Sequence, residues 1–241
     1  MNFDGIILVD KPKGWSSFDV VAKVRSTLRQ SLVSSQQSLD TSGQRQATPP
    51  KKVKVGHTGT LDPLATGLMI VVVGSYCKRA SEFSKLDKTY DVTMKLGETS
   101  TTGDEEGVKQ KGASAQPEVS EIKTALERFV GEIIQTPPIY SAIKVDGKRA
   151  YKLAREGKEV VIEPRKVTIK NIELTDYSYP FVRFSANVGS GTYIRSLVED
   201  IGENLGTGAY MSDLRRTTVG ECIIDDAVAP ESVSARSVVV L

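Results

Sequence analysis

Residues 67–73 read Gly-Leu-Met-Ile-Val-Val-Val, an apolar run that no polar residue interrupts. Side chains of a strand point alternately to two faces, so a strand apolar on both faces must be covered on both. This run therefore predicts the central strand of a sheet with packing above and below it. A chain of 241 residues with 39% hydrophobic composition can bury such a core without disulfides or a structural metal. Just before the run lies Val55-Gly-His-Thr-Gly-Thr-Leu-Asp-Pro-Leu-Ala-Thr66, a loop punctuated by glycine. Glycine permits close backbone approach to a ligand, and loops anchored on rigid strands are where chemistry is often placed.

The rest of the chain is read against that strand. Residues 5–9 form a second apolar run closed by Asp10-Lys-Pro-Lys-Gly14, which predicts a buried strand and a tight turn. Ser16 and Ser17 offer N-caps, Asp19 follows three residues after Ser16, and Phe18, Val21, Val24 and Leu28 recur at helical spacing. That helix is expected to end near Arg29. Residues 30–52, rich in Ser, Gln and Thr and closing with Pro49-Pro50 before basic residues, read as a flexible insertion. A short helix over 78–84, a half-buried strand over 89–96 carrying Tyr90, Val92, Met94 and Leu96, and a polar loop over 98–116 follow. A helix over 119–130 is stopped by Gly131. Strands are expected at 141–145, 160–162, 167–174, 182–188 and 211–219, with a helix over 148–156 and an amphipathic helix over 192–205 closed by Gly206. Strands outnumber helices. The expected class is α/β (α+β), a mixed, mostly antiparallel central sheet with flanking helices in one extended domain, ending in a ragged tail.

Charge and cysteine content narrow the setting. Cys77 and Cys222 show no C-x-x-C spacing and are too few to staple a secreted scaffold, so a reducing, cytoplasmic protein is expected. No basic leader precedes an apolar core at the N-terminus, and no stretch approaches the roughly 20 apolar residues of a membrane span. The net charge of +2 does not itself argue for nucleic acid, but basic residues gather at 51–54, 78–79, 144–158 and 215–216. The chain has no G-x-G-x-x-G, G-x-x-x-x-G-K or G-x-S-x-G, and with one histidine it cannot build a histidine-rich metal site.

Three stretches remain as candidate chemistry, each beside a plainer reading. Asp62 before Pro63 is by composition a turn former, yet glycines and threonines surround it on a strand-anchored loop. His57, five residues earlier, is by itself a hydrogen-bonded loop histidine. Arg195 sits in the first turn of the amphipathic helix, where the helix dipole attracts anions, so a partner carboxylate would explain it and surface solvation is the alternative. If the partner were Asp62, the pairing would hold that carboxylate ionised and aimed. Residues 137–151 interleave basic and aromatic side chains, as a surface tracking phosphates would, or as an ordinary hairpin leading into a solvated helix would.

Taken together these stretches resemble the TruB family of tRNA pseudouridine synthases. The likeness runs in order through Gly5-Ile-Ile-Leu-Val-Asp-Lys-Pro-Lys-Gly-Trp-Ser-Ser17, Gly56-His-Thr-Gly-Thr-Leu-Asp-Pro-Leu-Ala-Thr-Gly67 and Lys88-Thr-Tyr90. It continues through Pro137 to Arg149, Gly191-Thr-Tyr-Ile-Arg-Ser196 and Leu214-Arg-Arg-Thr217, spanning about residues 3–220. The resemblance implies a pseudouridine synthase fold and conversion of uridine 55 in the tRNA T loop to pseudouridine, with no cofactor and no metal. It implies that Asp62 is the catalytic aspartate, that Tyr90 stacks on the extruded uracil and helps remove its C5 proton, and that Arg195 pairs with Asp62. His57 would assist extrusion, Tyr193 and Leu214 would line the base pocket, and Lys144 and Arg149 would contact the T arm of the tRNA. The expected organisation is a catalytic domain over residues 1–220 and a short tail over 221–241, with the family's usual C-terminal RNA-binding domain absent. A monomer is expected.

Overall fold

The computed structural model describes residues 3–36, 52–113, 115–141, 143–145, 147–158 and 160–240. Most of the expected insertion, residues 37–51, lies outside them. Where one domain is expected, the chain divides into two compact units, one of residues 1–86 with 215–241 and one of residues 87–214.

In chain order the first unit begins with strand β1 (Gly5–Lys11), helix α1 (Ser17–Gln36), the short strand β2 (Val55–His57), strand β3 (Thr66–Val73) and helix α2 (Ala80–Ser84). β3 is the apolar run, and every residue from Gly67 to Val73 is buried, as its lack of alternation predicts. β1 lies antiparallel along one edge of it from Gly5↔Val73 to Lys11↔Gly67. α1 opens with the predicted box: the Asp19 N–H donates to Ser16 Oγ, and the Ser16 N–H donates to Asp19 Oδ2 at 2.8 Å. The helix runs past Arg29 to Gln36 because Leu32 continues the apolar stripe of Val24 and Leu28, and all three are buried.

The second unit holds β4 (Lys88–Leu96), β5 (Glu98–Ser100), β6 (Lys109–Lys111), α3 (Val119–Glu127), β7 (Gly131–Gln135), β8 (Lys144–Val145) and β9 (Lys148–Arg149). It continues with α4 (Ala150–Arg155), β10 (Arg165–Ser178), β11 (Phe181–Val188) and α5 (Ile194–Asn204). β12 (Ala209–Val219) closes it up to Leu214 and gives its remaining residues to the first unit, which ends with β13 (Cys222–Ile223). β4, β11, β10 and β7 form consecutive antiparallel ladders. α3 packs on β10 and α5 on β4, so the helices cover the sheet as expected. The stretch read as a polar loop is instead a two-stranded arm, β5 against β6, and residues 160–162 are not a strand.

Back in the first unit, β12 runs parallel to β3 at Arg215↔Thr66 and Arg216↔Gly67, while β2 pairs antiparallel with Val71 to Val73 farther along. The sheet here is mixed. The last residues are no ragged tail: Val228 and Val239 exchange backbone hydrogen bonds with β1 residues, the Ile6 N–H donating to Val239 O at 2.8 Å and the Val228 N–H to Leu8 O at 3.0 Å. They cover a strand edge that would otherwise expose unpaired backbone groups.

Candidate active site

The register of β2 dictates the path of the Asp62 loop. His57 pairs with Val71, so residues 58–65 must travel back along β3 before Thr66 can begin it. Backbone and side chain of Thr58 both donate to Ile70 O, at 3.2 and 3.3 Å. Farther on, the buried Ser17 hydroxyl brackets Leu61, accepting from its N–H at 2.8 Å and donating to its carbonyl at 2.9 Å. The Gly14 N–H donates to Pro63 O at 2.7 Å, and the Ala65 N–H closes a turn on Asp62 O at 3.1 Å. Asp62 is thus a turn residue, as the plain reading had it, and its half-buried carboxylate also stands in a loop fixed on both sides.

Two buried cations flank that loop within the same unit. Lys11, fully buried, donates to Trp15 O at 2.7 Å, Pro12 O at 3.0 Å and Pro63 O at 3.3 Å. Burial lowers its pKa to about 8 from an ordinary 10.5, with the Asp62 charge opposing that fall and the Arg216 charge adding to it. Arg216, also buried, donates through Nε to Leu68 O at 2.7 Å and through a terminal nitrogen to Gly59 O at 3.2 Å. β12 comes this close because residue 67 is glycine at φ +104°, where a Cβ would stand 2.3 Å from Arg216 O. Arg215 forks onto Asp10, at 2.8 and 3.1 Å. Neither Lys11 nor Arg216 was singled out from the sequence, since each reads as an ordinary charge next to a turn or in a strand.

In the second unit, Arg195 is buried, which removes surface solvation as its explanation. A carboxylate is there: Asp104 Oδ2 accepts from it at 3.4 Å, Thr102 O at 3.1 Å and Tyr140 O at 2.8 Å. Asp104 is itself buried and also takes the Thr102 hydroxyl and, at 3.1 Å, the Glu106 N–H. Glu199, one turn along α5, has its pKa raised by burial first and by the Asp200 charge second. Lys109 ties the turn down, donating to Glu105 O at 2.7 Å, Gly107 O at 3.0 Å and Asp104 O at 3.1 Å. Asp104 was missed because the acidic stretch holding it has no periodicity to place it.

Tyr193 caps the start of α5, and the amide of the buried Gln135 holds its main chain through two hydrogen bonds. Tyr90 is buried on β4 in the alternation the sequence showed, and Leu214 is buried on β12. His57 and Asp62 share the first unit's loop, whereas Tyr90, Tyr193, Arg195 and Leu214 belong to the second unit. Lys144 and Arg149 are backbone partners in the register of the β8–β9 hairpin, and Arg149 is exposed. Among the described residues no group of three or more His, Cys, Asp or Glu side chains could hold a metal, and no helix is long and apolar enough to cross a membrane.

Comparison with known proteins decides the family. Residues 45–194 match the model described as TruB family pseudouridylate synthase (N terminal domain). The chain belongs to the TruB family of pseudouridylate synthases. Residues 195–239 of this TruB-family chain match the tRNA pseudouridylate synthase B C-terminal domain, a match that takes in the segment expected to be a tail. It is 40% identical over 234 residues to a tRNA pseudouridine synthase B of Burkholderia mallei, covering 97% of this chain and 70% of the relative. It is 41% identical over 229 residues to one of Parabacteroides distasonis, covering 95% and 91%. Among solved structures it is similar to a chain of a Cbf5-Nop10-Gar1 complex, at 28% identity and a TM-score of 0.64. There the match covers 93% of this chain and about half, 52%, of the other.

Proposed function

We propose that this TruB-family chain isomerises uridine 55 in the T loop of tRNA to pseudouridine, by base flipping and covalent aspartate catalysis. The observation that supports it best is the setting of Asp62. Its loop is pinned at Thr58, Leu61 and Pro63, its carboxylate lies in the field of the buried Lys11, and the buried Arg216 holds Gly59 of the same loop. Such a field favours the ionised form, and a fixed, ionised carboxylate is what nucleophilic attack requires.

In this reading Asp62 attacks the uracil ring or the ribose of the extruded nucleotide. The bond from C1′ to N1 breaks, the base turns, a bond from C1′ to C5 forms, the bond to Asp62 breaks and returns its carboxylate, the C5 proton leaves and N1 takes up a proton. Tyr90 stacks on the flipped base and assists loss of the C5 proton. Arg195 keeps the Asp62 carboxylate charged, Tyr193 and Leu214 contact the base, and His57 assists extrusion. Lys144 and Arg149 contact the T arm. The enzyme acts as a cytoplasmic monomer without a cofactor. An enzyme acting on a stacked base must replace the stacking it removes, which suits these aromatic and apolar side chains.

Release of tritium from C5-labelled uridine in a tRNA transcript tests the proposal. The wild-type chain should release it, and Asp62→Asn should not. Release from neither would remove the activity, and equal release from both would remove Asp62 from its centre.

A further inference from the structure

Arg165, which no motif marks, stands opposite Gln135 at the end of the β10–β7 ladder. The two side chains grip one turn. Gln135 takes the Tyr193 N–H on its amide oxygen at 2.8 Å and returns an N–H to the Tyr193 carbonyl at 3.1 Å. Arg165 donates to the Gly191 carbonyl and lays its guanidinium over the Tyr193 ring, the guanidinium carbon 5.2 Å from the ring centroid. Gly191 makes room for this. Its φ is +91°, and a Cβ there would come within 3.2 Å of the Arg165 terminal nitrogen.

A guanidinium has five N–H donors, and among the described residues only the contact to Gly191 is taken up. Among the described residues no carboxylate pairs with Arg165, although its strand neighbour Lys166 faces Glu132 and Lys170 meets Asp87. A half-buried arginine held over an aromatic ring, with donors left over and no acid paired to it among the described residues, has the geometry that recognises phosphate. Pre-fixing the side chain also removes part of the rotamer entropy that binding would otherwise cost.

We propose that Arg165 binds a backbone phosphate of the RNA substrate, held ready by Tyr193, Gly191 and the turn that Gln135 braces. This rests on the RNA-modifying reading above and adds a contact next to Tyr193, a residue assigned there to the base. Because the same turn carries both, the phosphate contact would set the register of the nucleotide entering the pocket.

The test is binding of the full chain to a labelled T-arm RNA hairpin across a salt series. Arg165→Ala should weaken binding roughly ten-fold, as loss of a charge-assisted hydrogen bond does, and flatten the slope of log affinity against log salt by about 0.7 to 0.9. Arg165→Gln, which keeps a donor for Gly191, should flatten the slope equally. Arg165→Lys should restore the slope without restoring affinity, because it cannot stack and fork at once. Lys166→Ala, one residue away and mostly exposed, should leave the slope unchanged. An unchanged slope in both Arg165→Ala and Arg165→Gln overturns the proposal, as does a lowered kcat with unchanged slope, which would make Arg165 only a prop for Tyr193. Inorganic phosphate binding that needs Arg165 while the RNA slope does not would assign the site to free phosphate and overturn it too. A wild-type chain that binds no RNA would sink the functional reading itself, an outcome distinct from all of these.

Discussion

In the first unit, Lys11 and Arg216 are buried and give their hydrogen bonds to carbonyl oxygens; in the second, Arg195 is equally buried and has Asp104 against it. Carbonyl oxygens satisfy the donors of a cation without cancelling its charge. A carboxylate does both. Burying an uncancelled charge is costly, which is why Lys11 is easier to deprotonate than an ordinary lysine. The difference lies in what each cation meets: the first unit keeps positive charge beside the Asp62 loop, and the second pairs Arg195 with a carboxylate in a rigid bracket at the start of α5.

That comparison can be broken in several ways. Asp62→Asn should cause the largest change, lowering the isomerisation rate by roughly a thousand-fold or more while leaving the denaturation midpoint close to wild type. A rate within ten-fold of wild type would show that the positive potential serves something else. Asp104→Ala should be the most destabilising of these substitutions, by about 3 kcal/mol in chemical denaturation, since it strips the carboxylate from a buried guanidinium. If it proved neutral, the bracket would not depend on charge cancellation.

Gln135→Leu should cost about 1–3 kcal/mol by the same measurement, because it leaves the main-chain groups of Tyr193 unsatisfied, and it should raise KM for the RNA. Lys11→Met tests the other unit through pH. The folded pKa is about 8 and the ordinary value 10.5, so between them the unfolded chain binds more protons than the folded one. Stability contributed at this site therefore rises as pH climbs from about 8 toward 10.5, and Lys11→Met should lack that rise. A rise of the same size in both proteins would place its origin elsewhere. The smallest effect is expected from Lys170→Ala, which removes an exposed ion pair with Asp87 and should change stability by less than about 1 kcal/mol.

Elements whose pattern carries its own period were legible in the sequence. β3, with apolar residues on both faces, β4, with alternation, and α5, with its apolar stripe and terminal glycine, fall where their periods put them, to within a residue or two. The Ser16–Asp19 box is equally local, because both partners lie within one helical turn. The β5–β6 arm was not legible. Its residues are polar and acidic with no period, and the buried Asp104 meets Arg195, ninety-one positions away, a partner that local spacing does not reveal. Residues 160–162 erred the other way, as a short apolar run with no ladder to join.

The same division holds for the functional residues. The sequence by itself determined which side chains are chemically capable, an aspartate in a glycine-rich loop and an arginine in a first helical turn, because residue type and spacing are local properties; the tyrosines came only from the ordered resemblance to the family. Only the tertiary structure decided the charge each would experience. It put Lys11 and Arg216 under the Asp62 loop, gave Arg195 a carboxylate from an unmarked stretch, and laid Arg165 on Tyr193 across a strand register. Electrostatic environment depends on distance and burial, and both are set by segments far apart in the chain.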